Sequence, residues 1–389
     1  MKKPSLLTLI ALISLASIGA VLPSPALNKI ALYYNIKTYQ AEWITSAFVF
    51  GYALSQLFYG PFSNSFGRKK ALYMGIGISI IGGISCIFAS SFWMLVISRL
   101  ITAFGSGCGL NLTITIINDY YREHTQSRKI TAYAMSAFGL LPGISIFIGG
   151  EITSFLGWKS CFVFLTLLSI FAFILVIFLP ETHCTQKRIQ FSLVNILKQY
   201  IAVCNNKKIY LYALIWGVSA AIVYIVSSTA PIIANQYLGL SAARFGQIFT
   251  PVTLAYFVGT IIAAKLSSRI TVKQVFGLGC TISSVGTLLL LASVFLFPIH
   301  TLLFFIPLMV IYLGLPKIFT TAASQVMKNV SDRSTTSSVV SFLVMIIAFI
   351  SSTSVELIHQ NLYFYIPIAI LIAMIIINLA VIIEHFISS

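Results

Sequence analysis

The sequence predicts an all-α polytopic membrane protein with twelve transmembrane helices in two pseudo-symmetric six-helix bundles. Three observations predict this fold class: the composition, a series of long apolar runs, and the sidedness of the basic residues. Of the 389 residues, 58% are hydrophobic and 8% are charged, whereas a soluble globular domain carries about 25% charged residues. This composition excludes a soluble enzyme, a disulfide scaffold and a disordered chain.

Twelve apolar runs are long enough to cross about 30 Å of hydrocarbon at about 1.5 Å per residue. Each run is therefore predicted to form one membrane-spanning helix, and the spans are numbered here in chain order. The runs cover residues 5–23, 43–62, 71–90, 92–117, 130–150, 160–179, 209–230, 245–264, 274–297, 301–322, 335–355 and 363–383.

The connections between the runs are short, except for a polar stretch at residues 180–208. Six spans precede this stretch and six follow it. We therefore expect an N-terminal six-helix bundle at 1–180, a cytoplasmic central loop at 181–208 and a C-terminal six-helix bundle at 209–389.

The basic residues define the orientation. Cytoplasmic loops of membrane proteins are rich in Lys and Arg, and a cytoplasmic N-terminus places 18 of the 24 cations on that side. Lys29, Lys37, Lys159 and Arg244 fall in outer connections, and two cations lie within spans. Both termini are thus predicted to be cytoplasmic, in a bacterial-type inner (plasma) membrane. The same bias explains the net charge of +16, so nucleic acid is not an expected partner.

The N-terminus allows one alternative interpretation. Lys2 and Lys3, an apolar run and small residues near Ala20 or Ala26 are also typical of a secretory signal peptide. Cleavage would leave eleven spans and place the basic central loop on the outer side. The charge distribution therefore favours a first span that is retained.

The two halves of the sequence resemble each other. A serine-bearing, basic turn follows the second span at Gly60–Lys70, and a similar turn follows the eighth span at Ala264–Lys273. The offset is close to half the chain length. This is the pattern that duplication of a six-helix unit leaves.

Several short motifs occur in a characteristic order and spacing. They are Tyr59-Gly60-Pro61 and Gly67-Arg68-Lys69 in the turn after the second span, Arg99 and Asp119 on the fourth span, Gly139, Pro142, Gly149 and Gly150 on the fifth, and Leu156-Gly157-Trp158 and Leu179-Pro180-Glu181-Thr182 around the sixth. Together they resemble the loop motif, the fourth-span motif and the exporter-associated fifth-span motif of the major facilitator superfamily and, within it, the drug:proton antiporters of the Bcr/CflA type. The resemblance covers nearly the whole chain and implies the twelve-helix fold of that superfamily.

The chain departs from this family pattern at three places. Asn64 and Ser65 occupy positions where the loop motif usually has an acidic residue and Arg, and the fourth-span motif continues as Thr102-Ala103 instead of Gln-Gly. Gly19 occupies a first-span position where many relatives have Asp. The loop motif, represented by Gly60, Asn64, Gly67 and Arg68, is therefore expected to form a weaker cytoplasmic gate, because Asn64 lacks the negative charge.

Two cations lie within spans, Arg99 on the fourth and Lys317 on the tenth. Charged groups inside the hydrocarbon are costly and mark functional candidates. Both spans line the central cavity in the resembled fold, so one interpretation is a net-positive cavity for an anionic solute. The alternative is that Lys317 snorkels to the cytoplasmic edge and Arg99 only braces its helix.

Six further polar or aromatic residues inside spans are candidates for the cavity wall. Buried amides in lipid need a partner, so Gln56 and Asn111 are expected to face protein or water. Residues four or eight apart share a helix face, as Tyr52 does with Gln56. The other candidates are Trp216 and Tyr224 on the seventh span and Tyr256 on the eighth.

Membrane centres carry no Asp or Glu in this sequence. A proton-coupled exporter needs a group that titrates as access alternates, and the remaining coupling candidates are Glu42 and Asp119. The alternative for both is a charge at a helix end, and Glu42, just before an apolar span, lies where a carboxylate suits the helix N-terminus. Protons therefore remain only a candidate coupling ion.

Small residues on the fifth span indicate close helix packing. Gly139, Gly143, Gly149 and Gly150 form a small-residue face that permits close approach of a neighbouring helix. Pro142 in the same span permits a bend.

The leading functional hypothesis is a secondary active transporter, an exporter of small organic molecules resembling multidrug efflux, that works by alternating access. One alternative keeps the fold but takes up or releases an anionic or carboxylate metabolite or siderophore. A transporter-like sensor or intramembrane enzyme is the second alternative, although the paired catalytic groups that an enzyme needs are not visible in the sequence. We predict no cofactor, metal or ATP, because the six cysteines lack metal-ligand spacing and no G-x-x-x-x-G-K-[ST] loop occurs.

Overall fold

The computed structural model describes residues 4–120, 124–182, 192–204, 207–267, 269–297, 299–326, 333–356 and 361–388, and these residues are overwhelmingly α-helical. We number the α-helices in chain order. They are α1 (Leu6–Val21), α2 (Leu27–Tyr33), α3 (Trp43–Phe66), α4 (Arg68–Ile87), α5 (Phe92–Ser106), α6 (Cys108–Tyr120), α7 (His124–Leu156), α8 (Lys159–Ile177), α9 (Leu193–Cys204), α10 (Lys207–Gln236), α11 (Ala242–Leu266), α12 (Val272–Leu296), α13 (Thr301–Val326), α14 (Arg333–Glu356) and α15 (Leu362–Ser388).

The predicted all-α membrane fold is confirmed. Ten of the described helical segments are long and apolar enough to cross a membrane, and α3 and α7, with 24 and 33 residues, supply the second and fifth spans. The helices are thus consistent with twelve spans. The fourth span is divided into α5 and α6 at Gly107.

Helices of each half pack mainly against one another. α4 packs between α5 and α8 in the first half, and α13 packs against α10, α11 and α12 in the second. The largest contacts between the halves join α7 to α11 and α3 to α14. This pattern agrees with two bundles, whereas the domain boundaries at 180 and 209 stay a prediction.

The bundle has two chemically different ends. One, called the basic end here, carries the α3–α4 turn with Arg68 and Lys69 and the α11–α12 connection with Arg269. The other, called the opposite end, carries two short 3₁₀ turns (Ser24–Ala26 and Thr38–Glu42) and α2.

At the opposite end the two halves are joined by hydrogen bonds. The backbone N–H of Ala243 at the start of α11 donates to Ser154 Oγ on α7 at 3.2 Å, and Gln247 Nε2 donates to Glu151 Oε1 at 3.2 Å. Asn28 Nδ2 of α2 donates to the Pro231 carbonyl on α10, also at 3.2 Å. These bonds between halves close the opposite end.

Candidate substrate-binding cavity

A cavity of about 250 Å³ lies between the two halves. Its walls come from α1, α3, α6 and α7 on one side and from α10, α11, α13 and α14 on the other. The lining residues are Ala16, Ser17, Ala20, Val21, Phe48, Tyr52, Gln56, Leu110, Asn111, Ile114, Pro142, Ile146, Trp216, Ala220, Val223, Tyr224, Ser227, Thr253, Tyr256, Tyr312, Phe319, Ser337, Ser341, Val344 and Met345. None of these lining residues is charged.

All six polar and aromatic candidates other than the two cations line this cavity. They are joined there by Pro142, which sequence analysis had assigned to the bend of the fifth span. The lining brings Tyr52, Gln56 and Asn111 of the first half into one cavity with Trp216, Tyr224 and Tyr256 of the second.

Several lining residues were not predicted from the sequence, above all Tyr312 and five serine or threonine residues. Helical spacing contained a signal for two of them, because Thr253 lies three residues before Tyr256 and Ser227 lies three after Tyr224. Of the remaining three, Ser17 lies on α1, and Ser337 and Ser341 on α14 are also one turn apart.

An amide pair joins α3 to α6 in the cavity wall. Asn111 Nδ2 donates to Gln56 Oε1 at 2.7 Å, and Gln56 Nε2 donates to the Tyr52 carbonyl at 3.2 Å. Each amide therefore has the partner that a polar group needs in a membrane interior. The pair also orients one polar patch in a wall that is otherwise mostly apolar.

Five aromatic rings contribute to the wall on the C-terminal half. Trp216 meets Phe319 edge to face with centroids 5.1 Å apart, and Tyr256 meets Tyr312 at 6.1 Å. Tyr312 Oη donates to the Val223 carbonyl at 3.4 Å. Such edge-to-face pairs stabilise each other and present flat, weakly polar surfaces to a ligand.

Arg99 lies behind the cavity wall and does not line it. Its guanidinium is 1% exposed and stacks on the Phe48 ring, 4.3 Å from the centroid, while Phe48 itself faces the cavity. Arg99 Nη2 donates to the Gly19 carbonyl of α1 at 2.7 Å. Pro23, four residues after Gly19, has no N–H for that carbonyl, so Arg99 supplies the missing donor.

Lys317 also lies away from the cavity lining. It is buried, and its Nζ donates to the Leu313 carbonyl one turn earlier on α13, at 2.7 Å. Its Cβ packs closely on Gly279 of α12, so the side chain leaves α13 toward α12. Snorkelling to an edge is not observed, and neither span cation gives the lining of this cavity a positive charge; their functional roles stay predictions.

The two coupling candidates occupy different surroundings. Glu42 is fully buried at the end of a 3₁₀ turn that contacts α10 and α14 of the other half. Glu42 directly precedes α3, as the helix-end interpretation has it, although its carboxylate makes no capping bond to that helix. Asp119 instead forms an ion pair with Arg68 at the basic end, with Nε and Oδ2 3.0 Å apart.

The α3–α4 turn is built around Gly67 and Arg68. Gly67 has φ +102°, a conformation that side chains strongly disfavour. Arg68 Nη1 donates to Asn64 Oδ1 at 2.7 Å and to Ser63 Oγ at 3.2 Å, in addition to its pair with Asp119. The loop-motif residues are thus tied to the end of α6 by one buried guanidinium.

Glu181 caps the start of α4 across space. Its two carboxylate oxygens accept from the backbone N–H groups of Arg68 at 3.0 Å and Lys69 at 3.1 Å. A helix N-terminus has unpaired N–H groups and a partial positive charge, which a carboxylate satisfies. The segment after α8 therefore stabilises the α3–α4 turn. Glu181 is a residue that the sequence did not identify as part of the site.

The loop motif leads to one prediction at Asn64. Replacing Asn64 with Asp would add a second carboxylate to Arg68, and we expect a gain of about 0.2–1 kcal/mol at this partly exposed end. The inward-facing fraction, measured by solvent-accessible labelling on both sides of the membrane, should change up to about fivefold in Asn64→Asp. Unchanged populations and unchanged transport would refute the weaker-gate hypothesis, and Ser65→Asp is the matched control.

The small-residue face of α7 packs against two neighbouring segments. Gly149 packs against the Leu22 carbonyl of the first half, whereas Gly143 and Gly150 face Thr253 and the Ala242 carbonyl on α11. Gly60 similarly faces Ser338 Oγ of α14, 2.9 Å from where a Cβ would lie. Gly139 lies in α7, but its surroundings are outside the described residues. The close approach of a neighbouring segment thus lies within the first half at Gly149 and between the halves at Gly143 and Gly150.

The family assignment rests on a match over most of the chain. The sequence pattern of the Major Facilitator Superfamily matches residues 6–352. The chain belongs to the Major Facilitator Superfamily. It is therefore an integral membrane protein, and the family and the fold together point to a transporter rather than an enzyme.

Among curated relatives of this family member are two drug-resistance proteins. A bicyclomycin resistance protein homolog of Haemophilus influenzae is 26% identical over 271 residues, covering 69% of this chain. Multidrug resistance protein D of Escherichia coli is 25% identical over 268 residues, covering 68%. The matches span 66% of each relative's length, slightly less than two thirds.

Two solved structures have the same fold. The D-xylose-proton symporter superposes with a TM-score of 0.78 over 97% of this chain and 96% of its own, at 14% identity. A partially occluded, inward-open xylose transporter of Escherichia coli superposes with 0.74 over 95% and 96%, at 11% identity. At this identity the likeness concerns the fold alone.

Proposed function

We propose that this family member exports small, uncharged organic molecules by alternating access. The observation that carries the proposal is the cavity between the halves, whose lining residues are aromatic, aliphatic, hydroxyl or amide in character and carry no charge. Pockets of this kind bind largely apolar ligands, with a few polar groups that fix their orientation. The exporter-associated motif on α7 and the similarity to the two bacterial drug-resistance proteins support the direction.

Orientation follows from the distribution of cations. We take the basic end to be cytoplasmic, because Lys and Arg accumulate in cytoplasmic loops, which places both termini in the cytoplasm and the protein in an inner (plasma) membrane. The cavity wall then includes Asn111 in the cytoplasmic half of the fourth span and Ser337 in that of α14, while bonds between α7 and α11 close the outer side. Closure of the outer side is what an inward-facing or an occluded state of a rocking-bundle transporter requires.

The lining chemistry changes the expected substrate class. A net-positive cavity for an anion required Arg99 and Lys317 in the wall, and both lie outside the lining. Burial of a charged solute without an opposite charge is costly. The cavity therefore favours a neutral or amphipathic molecule, and the anionic metabolite becomes the second candidate.

Trp216 provides a test of the cavity. Trp216→Ala removes the large ring that packs against Phe319, and we expect KM for a transported molecule to rise about tenfold, in line with about 1.4 kcal/mol of lost contact. Trp93→Ala is the matched control, because Trp93 is exposed at the start of α5, away from the cavity. Equal effects of the two variants on KM would contradict a binding role for Trp216.

Glu42 is the coupling group that we propose to test. Glu42 is buried in a segment that packs against both halves, so protonation of its carboxylate would change the contacts between the halves. In vesicles with an imposed pH gradient, Glu42→Gln is expected to transport down a substrate gradient but to lose at least tenfold of its proton-driven accumulation. Retained accumulation would exclude Glu42, and Glu356→Gln, at the last residue of α14, is the control.

Flux measurements with the whole transporter decide between the substrate classes. Reconstituted vesicles are given neutral, cationic and anionic aromatic compounds of similar size, with and without a pH gradient. We expect flux of the neutral compounds out of the compartment facing the basic end. Preferential flux of the anions would favour the second candidate, and flux independent of both compound and protein would end the transporter proposal.

A further inference from the structure

Helix α9, in the segment that connects the two halves, has an apolar face that the rest of the bundle leaves uncovered. Val194, Leu197 and Ile201 recur at spacings of three and four, so they share one side of the helix. They are 60%, 57% and 61% exposed. The helix contains no acidic residue and one cation, Lys198, which is also exposed and adjoins this face.

The other side of α9 is held against α3 by a specific bond. Tyr200 Oη donates to the Leu57 carbonyl at 2.6 Å, and Pro61, four residues later, has no N–H to satisfy that carbonyl. Burial raises the pKa of Tyr200 to about 12, so the phenol keeps its proton at physiological pH. Asn195 and Gln199 line a small polar pocket with Asn64 and Pro61, and α9 also contacts α14 of the other half.

This bond determines the depth of α9. Leu57 lies nine residues before Phe66, the last residue of α3, which corresponds to about 13 Å along the helix. The helix α9 therefore lies beside the final turns of α3 and does not lie beyond the end of that helix. In a chain whose α3 crosses the bilayer, that level is the boundary between acyl chains and headgroups.

We propose that α9 is an interfacial helix whose Val194–Leu197–Ile201 face inserts into a bilayer surface containing anionic phospholipid. A short amphipathic helix with an apolar stripe beside basic residues binds such a surface. Charge complementarity selects this occupant, because residues 182–208 contain five cations and no acid. The apolar stripe meets acyl chains, and Lys198 meets the headgroup phosphates.

Site-directed fluorescence of the full-length protein in nanodiscs tests the proposal. An environment-sensitive label is attached at Leu197→Cys or, as the matched control on the polar side of α9, at exposed Ala202→Cys, in a background with Cys184 and Cys204 changed to serine. The cysteines Cys86, Cys108, Cys161 and Cys280 are buried. We expect brominated acyl chains to quench the label at 197 at least threefold more than the label at 202, and aqueous iodide to show the reverse order.

Nanodiscs of different lipid composition distinguish the possible partners of the apolar face of α9. Quenching at 197 should be stronger in phosphatidylglycerol than in phosphatidylcholine discs, and Lys198→Gln should lower the inserted-to-free ratio about fivefold in phosphatidylglycerol. Equal access of iodide to both labels would overturn the proposal. So would self-quenching at 197 that rises with the number of protein copies per disc, because a second copy would then cover the face.

Discussion

Replacing Arg99 with alanine is expected to lower the free energy of unfolding by about 3–5 kcal/mol. The change removes a side chain that fills a fully buried site, which costs about as much as other large-to-small core substitutions. It also removes the only hydrogen bond described to the Gly19 carbonyl from outside α1, and Pro23 leaves that carbonyl without a backbone donor. Thermal unfolding in detergent measures the loss.

Companion variants separate the contributions of size and charge. Arg99→Met keeps most of the volume but no donor, so we expect a loss of about 1–2 kcal/mol from the unsatisfied carbonyl alone. Arg244→Ala, at an exposed position of α11, is the matched control and should stay within about 0.5 kcal/mol of the unchanged protein. A loss in Arg99→Ala no larger than in Arg244→Ala would contradict the assigned role.

Alanine at Gly150 is expected to shift the transporter away from the state with a closed opposite end. The new Cβ would lie 2.6 Å from the Ala242 carbonyl oxygen, and because that atom belongs to the backbone of α11, the two helices must separate. Overpacking of this kind costs about 1–3 kcal/mol, which lowers the closed-to-open ratio by about 5- to 150-fold. Transport should fall with it, since alternating access needs both states.

Distances between spin labels at exposed Phe155 and Arg244, one on each half, report this shift. The population with the longer distance should dominate in Gly150→Ala. Gly77→Ala is the matched control, because nothing lies within 4 Å of its added Cβ and the gain in helix propensity is the same. Identical distance distributions in the two variants would show that the contact between α7 and α11 does not set the equilibrium.

The success and failure of the site predictions have a common physical cause. Tyr52 and Gln56 were correctly expected to share a face, because residues four apart always do in a helix. For Arg99 and Lys317 the sequence reports depth in the membrane but not direction around the helix axis. Arg99 turns toward α1 and Lys317 toward α12, and which neighbour occupies each direction depends on packing between distant segments.

Proline illustrates the same division between local and tertiary information. The sequence alone predicts that Pro23 and Pro61 each leave one carbonyl unsatisfied four residues earlier. It contains no local signal that the donors are Arg99 and Tyr200, which lie 80 and 143 residues away from Gly19 and Leu57. The first bond fixes a cation behind the cavity wall, and the second holds α9 against α3.

The sequence by itself determined the membrane class, the spans, the sidedness of the charges and the family resemblance, because hydrophobic length and charge act locally against a bilayer of constant thickness. Only the tertiary structure decided which polar groups share a cavity and that none of the lining residues is charged. It also decided that the halves meet at the opposite end, with α9 lying beside α3. Those features depend on how helices rotate and pack against partners far away in the chain, where small steric differences such as a missing Cβ at Gly150 select one arrangement.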